Sequence, residues 1–210
     1  MARIRKDPEE RRKELVDISA KLFSQNGYEK TMVQDICQAA GVAKGTFFYY
    51  FPSKDAVLKE IFEDWTSDFI AEFVKKSESM SAVEKLNLFM QMSARENVIE
   101  PLFDQLWKEQ YKDLVTQLWQ RVIINRFNPL LREMIAQGNR EGSMHVEHTE
   151  ECLDFFWALT DGIWPDDTQE TMTDESMKIR VTIAMKLFEQ LLGMEKGTLS
   201  PFIDMPEIGS

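Results

Sequence analysis

The sequence predicts an all-α protein, and three observations predict it. Apolar residues recur at spacings of three and four along most of the chain. Stretches of alternating apolar and polar residues bounded by turns, the mark of strands, are scarce. Helix start and stop signals punctuate the apolar periods at intervals suited to about nine helices.

The first helix carries Leu15, Ile18 and Leu22 on one face with Phe23 beside them, and Asn26-Gly27 closes it. Thr31-Met-Val-Gln34 reads as a capping box, with the threonine oxygen accepting from an early backbone N–H and Gln34 reaching back. A short helix over about 32–39 follows. Gly41 supplies the positive φ of a sharp turn, and a second short helix runs from about Ala43 to Tyr49. Pro52-Ser53 stops it and caps the next helix, whose first turn holds Asp55.

That next helix is long, with Leu58, Ile61, Phe62, Trp65, Phe69 and Phe73 in one stripe to about residue 76. After a polar break, Ser81-Ala-Val-Glu84 forms another capping box. Helices are expected at about 82–94, 101–111 and 113–137, with Pro101 in a first turn and Pro129 kinking or interrupting the last. Gln137–Gly142 reads as a loop. Helices at about 149–164 and 174–194 flank an acidic loop, and the chain after Gly197 reads as irregular. The expected division is a helix-turn-helix domain at 1–53, a helical effector-binding and dimerisation domain at 54–197, and a tail at 198–210.

The last helix is apolar on two opposite faces. Ile179, Ile183, Leu187 and Leu191 form one stripe; Val181, Ala184, Met185, Phe188 and Leu192 form the other, roughly 200° away. Both faces need cover, so the helix is either central in a monomer or part of a homodimer interface shared with the helix before it. On the second reading Phe155, Leu159, Val181, Met185, Phe188 and Leu192 are the interface candidates.

The net charge of −11 is unevenly spread. Residues 1–60 hold 11 basic and 9 acidic side chains, and the remaining 150 hold 14 and 27. Only the first segment suits phosphates. No apolar run is long enough to span a bilayer, and the N-terminus lacks the apolar core of a signal peptide, so a cytoplasmic protein is expected. Cys37 and Cys152 sit in apolar helical patterns and read as small core residues. His145 and His148, near Glu147, Glu150 and Glu151, are open to a metal reading but fit better as surface residues at an acidic helix start. No cofactor is expected. A Gly-rich phosphate loop, a nucleophile elbow and an HExxH pair are all missing, which argues against an enzyme.

Thr31–Lys54 reads TMVQDICQAAGVAKGTFFYYFPSK: a helix, a glycine turn and a second helix. Ile36, Ala40, Val42, Phe47 and Phe51 are spaced to form its core. Ala43, Lys44, Gly45, Thr46, Phe48, Tyr49 and Tyr50 are left facing outward. Small residues let such a helix sink into the major groove, while a lysine, a threonine hydroxyl and two phenols can bond phosphates or base edges.

The stretch GYEKTMVQDICQAAGVAKGTFFYYFPSKDAVLKEIF resembles the DNA-binding domain of the TetR/AcrR family of bacterial repressors. The glycine-aromatic pair, the threonine, the GV turn, the KGT, the YYF and the SKD stand at the family's spacing over about 50 residues. Beyond them only the helical layout matches. The resemblance implies that Thr31 places its hydroxyl and helix N-terminus on a phosphate. It implies that Lys44, Gly45, Thr46 and Tyr49 make recognition contacts, and that Lys54 holds another phosphate. Phe48 and Tyr50 stand where the family often has tyrosine and histidine, which removes one phenolic contact at Phe48 and at Tyr50 either restores one or alters sequence preference. The basic arm (Arg3, Arg5, Lys6) either adds phosphate or minor-groove contacts or is an ordinary frayed terminus.

The same layout implies a homodimer on a palindromic double-stranded operator, released by a small-molecule effector, with the long fourth helix as the lever. The body's Trp65, Phe69, Phe89, Met92, Phe103, Trp107, Tyr111, Trp119, Phe127 and Trp157 are the candidate pocket residues, though most such side chains serve as core. They suit an apolar or aromatic effector, or a cationic one held against ring faces. The rival readings are a DNA-binding protein of this fold governed by a protein partner, and a helical enzyme or carrier with a vestigial helix-turn-helix.

Overall fold

A computed structural model describes residues 7–95, 99–108, 111–163 and 174–200. Among them every regular element is helical: α1 Pro8–Asn26, α2 Val33–Ala40, α3 Lys44–Tyr50, α4 Lys54–Ser77, α5 Ala82–Ser93, α6 Ile99–Lys108, α7 Lys112–Leu118, a π-helical segment Trp119–Ile124, α8 Asn125–Glu141, α9 Thr149–Ile163 and α10 Asp174–Leu191. None of the described helices is long and apolar enough to cross a membrane. The described residues fall into two compact units. The first takes in the chain up to Asp68 and the stretch between Ile99 and Ile123; the second takes in Phe69–Arg95 and the stretch from Ile124 onward. This division does not follow the linear boundary expected at residue 53.

In the first unit, α1 starts on Asp7, whose carboxylate accepts from Glu9 N at 2.9 Å, with Pro8 opening the helix. Leu15, Val16 and Phe23 are buried on its inner face, and the one polar group there, Ser19, donates to Leu15 O at 2.6 Å. The cap of α2 differs from expectation. Asp35, not Gln34, reaches back to bond Met32 N at 2.8 Å. Thr31 is not the cap: Met32 takes the N-cap position, and the Thr31 hydroxyl donates to Gly27 O instead. Gly41 closes α2 at φ 63° in a Schellman turn, with Val42 N bonding Cys37 O and Gly41 N bonding Gln38 O. An added Cβ at Gly41 would meet nothing within 4 Å, so conformation alone demands the glycine.

The second unit is an aromatic core. Phe127 lies 4.9 Å from Phe69, 5.3 Å from Phe89 and 6.3 Å, stacked, from Trp157, all between ring centroids. Trp157 stays satisfied by donating its indole N–H to Asn128 Oδ1 at 2.7 Å. The helix expected at 113–137 is instead α7, the π-helical segment and α8. Pro129 sits inside α8, where it cannot donate to the carbonyl four residues back, and the change of helical pitch falls just upstream of it. α8 also outruns its expected end and reaches Glu141. Gly138, read as part of a loop, is a buried helical glycine whose absent side chain makes room for Met144. The chain beyond α10 is partly fastened: Leu199 N bonds the buried Glu189 carboxylate at 3.0 Å. The rest of the expected tail, 201–210, lies outside the described residues.

Candidate nucleic-acid interface

The recognition candidate α3 has seven residues. So short a helix is marginal alone and takes its place from packing. Phe47 and Phe51 supply that packing, at 0% and 1% exposure, with Ile36 of α2 and Val57 and Leu58 of α4 also at 0%. Burying each such ring or branched side chain is worth about 1.5–3 kcal/mol. Ala40 and Val42, the other two expected core residues, are half-buried. The outward side is as expected: Ala43, Lys44 and Gly45 are exposed, Phe48 is 46% and Tyr49 79% exposed, and Thr46 and Tyr50 are half-buried. A Cβ added at Gly45 would meet nothing within 4 Å, so this side of α3 is open. Tyr49 and Tyr50 meet edge to face at 5.0 Å, which orders the two rings as a pair.

Two expected phosphate ligands are placed differently. Thr31 is 1% exposed, and its hydroxyl donates to Gly27 O at 2.7 Å. Lys54 donates to Tyr28 O at 2.7 Å and Thr31 O at 3.2 Å, with its ammonium 4.1 Å from the centre of the Tyr28 ring. The Thr31 side chain ties the turn between α1 and α2 to the end of α1, and Lys54 fastens that turn to the start of α4. The Tyr28 hydroxyl donates to the Asp55 carboxylate, and its pKa is pushed well up by burial first and by Asp55 second.

Two further residues were not read from the sequence as part of this surface. Gln34, freed from capping, is exposed in the first turn of α2 beside Met32, which is 63% exposed. Arg12, one of the basic side chains counted in residues 1–60, is turned inward. Its Nε and one amino group bond both oxygens of Glu60 at 2.8 Å, and the other amino group bonds Tyr50 O at 3.1 Å. Its guanidinium carbon lies 4.6 Å from the centre of the Phe51 ring. The bond to Glu60 holds its pKa above the ordinary arginine value. Spacing carries no signal for either contact, since Glu60 lies 48 positions away. The basic arm at Arg3, Arg5 and Lys6 lies outside the described residues.

The outward faces of α9 and α10 correct the interface expected from the sequence. Val181, Phe188 and Leu192 are buried within the chain at 2% exposure or less, and Leu159 and Met185 are half-buried. Of the named set only Phe155, at 64%, is exposed, and it is joined by Ile179, Ile183 and Leu187 at 54%, 52% and 39%. Both stripes of α10 are apolar, so periodicity could not say which one the chain would cover itself.

The candidate pocket residues divide between the units. In the second, Phe69, Phe89, Met92, Phe127 and Trp157 are all buried. A cavity of about 10 Å³, lined by Leu131, Met134, Leu153 and Phe156 among others, touches none of them. In the first, Trp65, Phe103, Tyr111 and Trp119 are half-buried. Phe103 meets Phe62 at 4.8 Å and Trp119 at 5.5 Å, and Tyr111 meets Tyr28 at 5.3 Å. The side chain of Trp107 lies outside the described residues.

Residues 15–61 match the model of the bacterial regulatory proteins of the tetR family. That span contains the Schellman turn, the buried phenylalanines and the exposed Lys44–Tyr50 face. Over that span the chain resembles the regulatory domain of the tetR family. The HTH-type transcriptional repressor KstR2 of Rhodococcus jostii is 38% identical over 63 residues, 30% of this chain and 31% of that protein, so this similarity spans about a third of the relative. The fatty acid metabolism regulator protein of Bacillus subtilis is 27% identical over 173 residues, 82% of this chain and 75% of that protein. Among solved structures, GusR of Salmonella enterica superposes with a TM-score of 0.65 at 20% identity, covering 90% of this chain and 96% of its own. A Saccharomonospora viridis regulator in complex with choline gives 0.62 at 19% identity, covering 82% and 94%. At these identities the structural matches speak for the TetR-family fold, an N-terminal helix-turn-helix followed by a helical body.

Proposed function

We propose that the chain is a ligand-responsive transcriptional repressor acting as a homodimer on a palindromic operator. Each protomer sets α3 into one of two successive major grooves, about 34 Å apart along the duplex. The observation that carries this reading is the outward face of α3. Lys44 and the hydroxyls of Thr46, Tyr49 and Tyr50 bond phosphates and base edges, Ala43 and Gly45 let the helix seat deeply, and Phe48 offers an apolar edge to thymine methyls. Lys54 and Thr31 act from behind, as fasteners of the turn. The second copy covers Phe155, Ile179, Ile183 and Leu187 in a self-complementary helical interface.

Release follows when an effector binds more tightly to the conformer with the wrong half-site spacing. The similarity to the fatty acid metabolism regulator extends through most of the chain and supports an effector with an apolar chain. The half-buried Trp65, Phe103, Tyr111 and Trp119 offer ring faces for such a group, and such faces also suit a cationic head. The burial of Phe69, Phe89, Phe127 and Trp157 against one another favours a second reading, in which a protein partner replaces the small molecule.

Anisotropy titrations against the DNA upstream of the gene test this. Saturable, salt-sensitive binding to an inverted repeat is expected, with two copies per site and weakening on addition of a long-chain fatty acid or its thioester. Choline forms a second arm. Ile183→Glu is expected to give monomers by sedimentation and to lose the operator. A protein that treats every inverted repeat like scrambled DNA would falsify the reading. One that keeps its operator through the whole ligand series would shift it to the protein-partner form.

A further inference from the structure

We infer that Arg12 is a positioning residue for operator recognition: from α1, it sets the orientation of α3 against α4. The inference rests on the DNA-binding reading above. α3 is anchored on one side by Phe47 and Phe51, but an anchor of two rings near its end leaves rotation about that point to be fixed. The last carbonyls of a helix have no partner within it. The one on Tyr50 is taken by Arg12 at 3.1 Å, while the same planar group grips both oxygens of Glu60 on α4 at 2.8 Å and lies over Phe51. Acceptors on two elements are thus set by one rigid fork, a geometry that a lysine ammonium cannot reproduce.

The charge is spent internally. Glu60, Glu9 and Asp64 all act on the guanidinium, so it is matched by carboxylates rather than offered to a phosphate. Tyr50 then has its carbonyl held at the clamp while its ring is paired with that of Tyr49. The clamp therefore governs where both phenols point.

The test uses the full chain with operator DNA selected by the wild type, and the variants Arg12→Gln, Arg12→Lys and Glu60→Gln. Affinity for operator and for scrambled duplex is measured across a salt series, at temperatures below each variant's melting point. All three are expected to lose about tenfold in operator affinity, the scale of one charged hydrogen bond. Scrambled-duplex affinity should stay within about twofold, and the salt slope should not change. Glu60→Gln is the decisive arm. It removes a negative charge from the DNA-binding unit, so charge alone would tighten binding to every duplex. It also serves if the Arg12 variants unfold. Tighter operator binding by Glu60→Gln overturns the inference, as does full rescue by Arg12→Lys. So does a fall on both duplexes with the salt slope reduced by about one, the signature of a direct phosphate contact. A wild type with no operator preference would instead bring down the DNA-binding reading itself, a result distinct from variants that match a working wild type.

Discussion

The two units use many of their aromatic side chains differently. In the second, Phe69, Phe89, Phe127 and Trp157 are buried against one another. In the first, Tyr49 and Phe48 are exposed, Trp65, Phe103, Tyr111 and Trp119 are half-buried, and beside the buried Phe23, Phe47 and Phe62 two buried rings carry charged partners: Lys54 over Tyr28 and Arg12 over Phe51. The difference separates rings that make a core from rings that face something else. Composition alone cannot make that separation, because both sets occupy helical spacings.

The comparison breaks most visibly at Phe127. Replacing it with alanine removes a ring that touches three others, and the cost expected from a core phenylalanine is about 3–5 kcal/mol. Urea unfolding followed by tryptophan fluorescence measures it. A cost below about 1 kcal/mol would mean that these rings do not form a close-packed core, and would return them to the list of pocket residues.

A smaller effect is expected in the first unit at Tyr28. Tyr28→Phe keeps the edge contacts with Phe23 and Tyr111 at 5.0 and 5.3 Å and the face under Lys54, and removes only the bond to Asp55. A loss of about 1 kcal/mol is expected, or roughly 2–4 °C in melting temperature for a chain of this size. A change within 0.5 °C would show that the hydroxyl contributes nothing, leaving the ring contacts and Lys54 as the tie.

The helix-turn-helix was readable from the sequence because its determinants are local. Gly41 had to adopt positive φ, and Ile36, Phe47 and Phe51 had to share a face. Local chemistry became ambiguous wherever two groups competed for one partner. Thr31 and Gln34 have the chemistry of a capping box, yet the hydroxyl of Thr31 reached Gly27 O and the carboxylate of Asp35 took the backbone N–H instead. What stayed hidden was non-local. Lys54 and Arg12 carry the charge of phosphate ligands, and only the folded chain brings Tyr28 O, Thr31 O, Tyr50 O and Glu60 within their reach. The same limit applied to α10, where two apolar stripes could be read and the choice between them depended on α9.

The smallest effect tests the electrostatic side of the same contrast. In the second unit Glu72, Glu84, Glu141 and Glu150 are held below the usual carboxylate range, each by a hydrogen bond from Lys76, Ser81, Ala82 or Arg132 in turn (Asp161, raised by burial, is the exception). Asp64 in the first unit is pushed up, chiefly by burial and then by Glu60, with Lys13 opposing and Asp68 and Asp17 adding. A carboxyl whose folded pKa lies above its unfolded one binds its proton more tightly when folded. Its charged form therefore costs stability above the folded pKa, and the cost fades as pH falls towards the unfolded value near 4. Asp64→Asn should raise the melting temperature slightly at pH 7–8, and the gain should shrink to nothing at about pH 4. A gain that persists unchanged at low pH would assign the effect to packing. A loss at neutral pH would show that Asp64 has a stabilising partner in Lys13 that outweighs its burial.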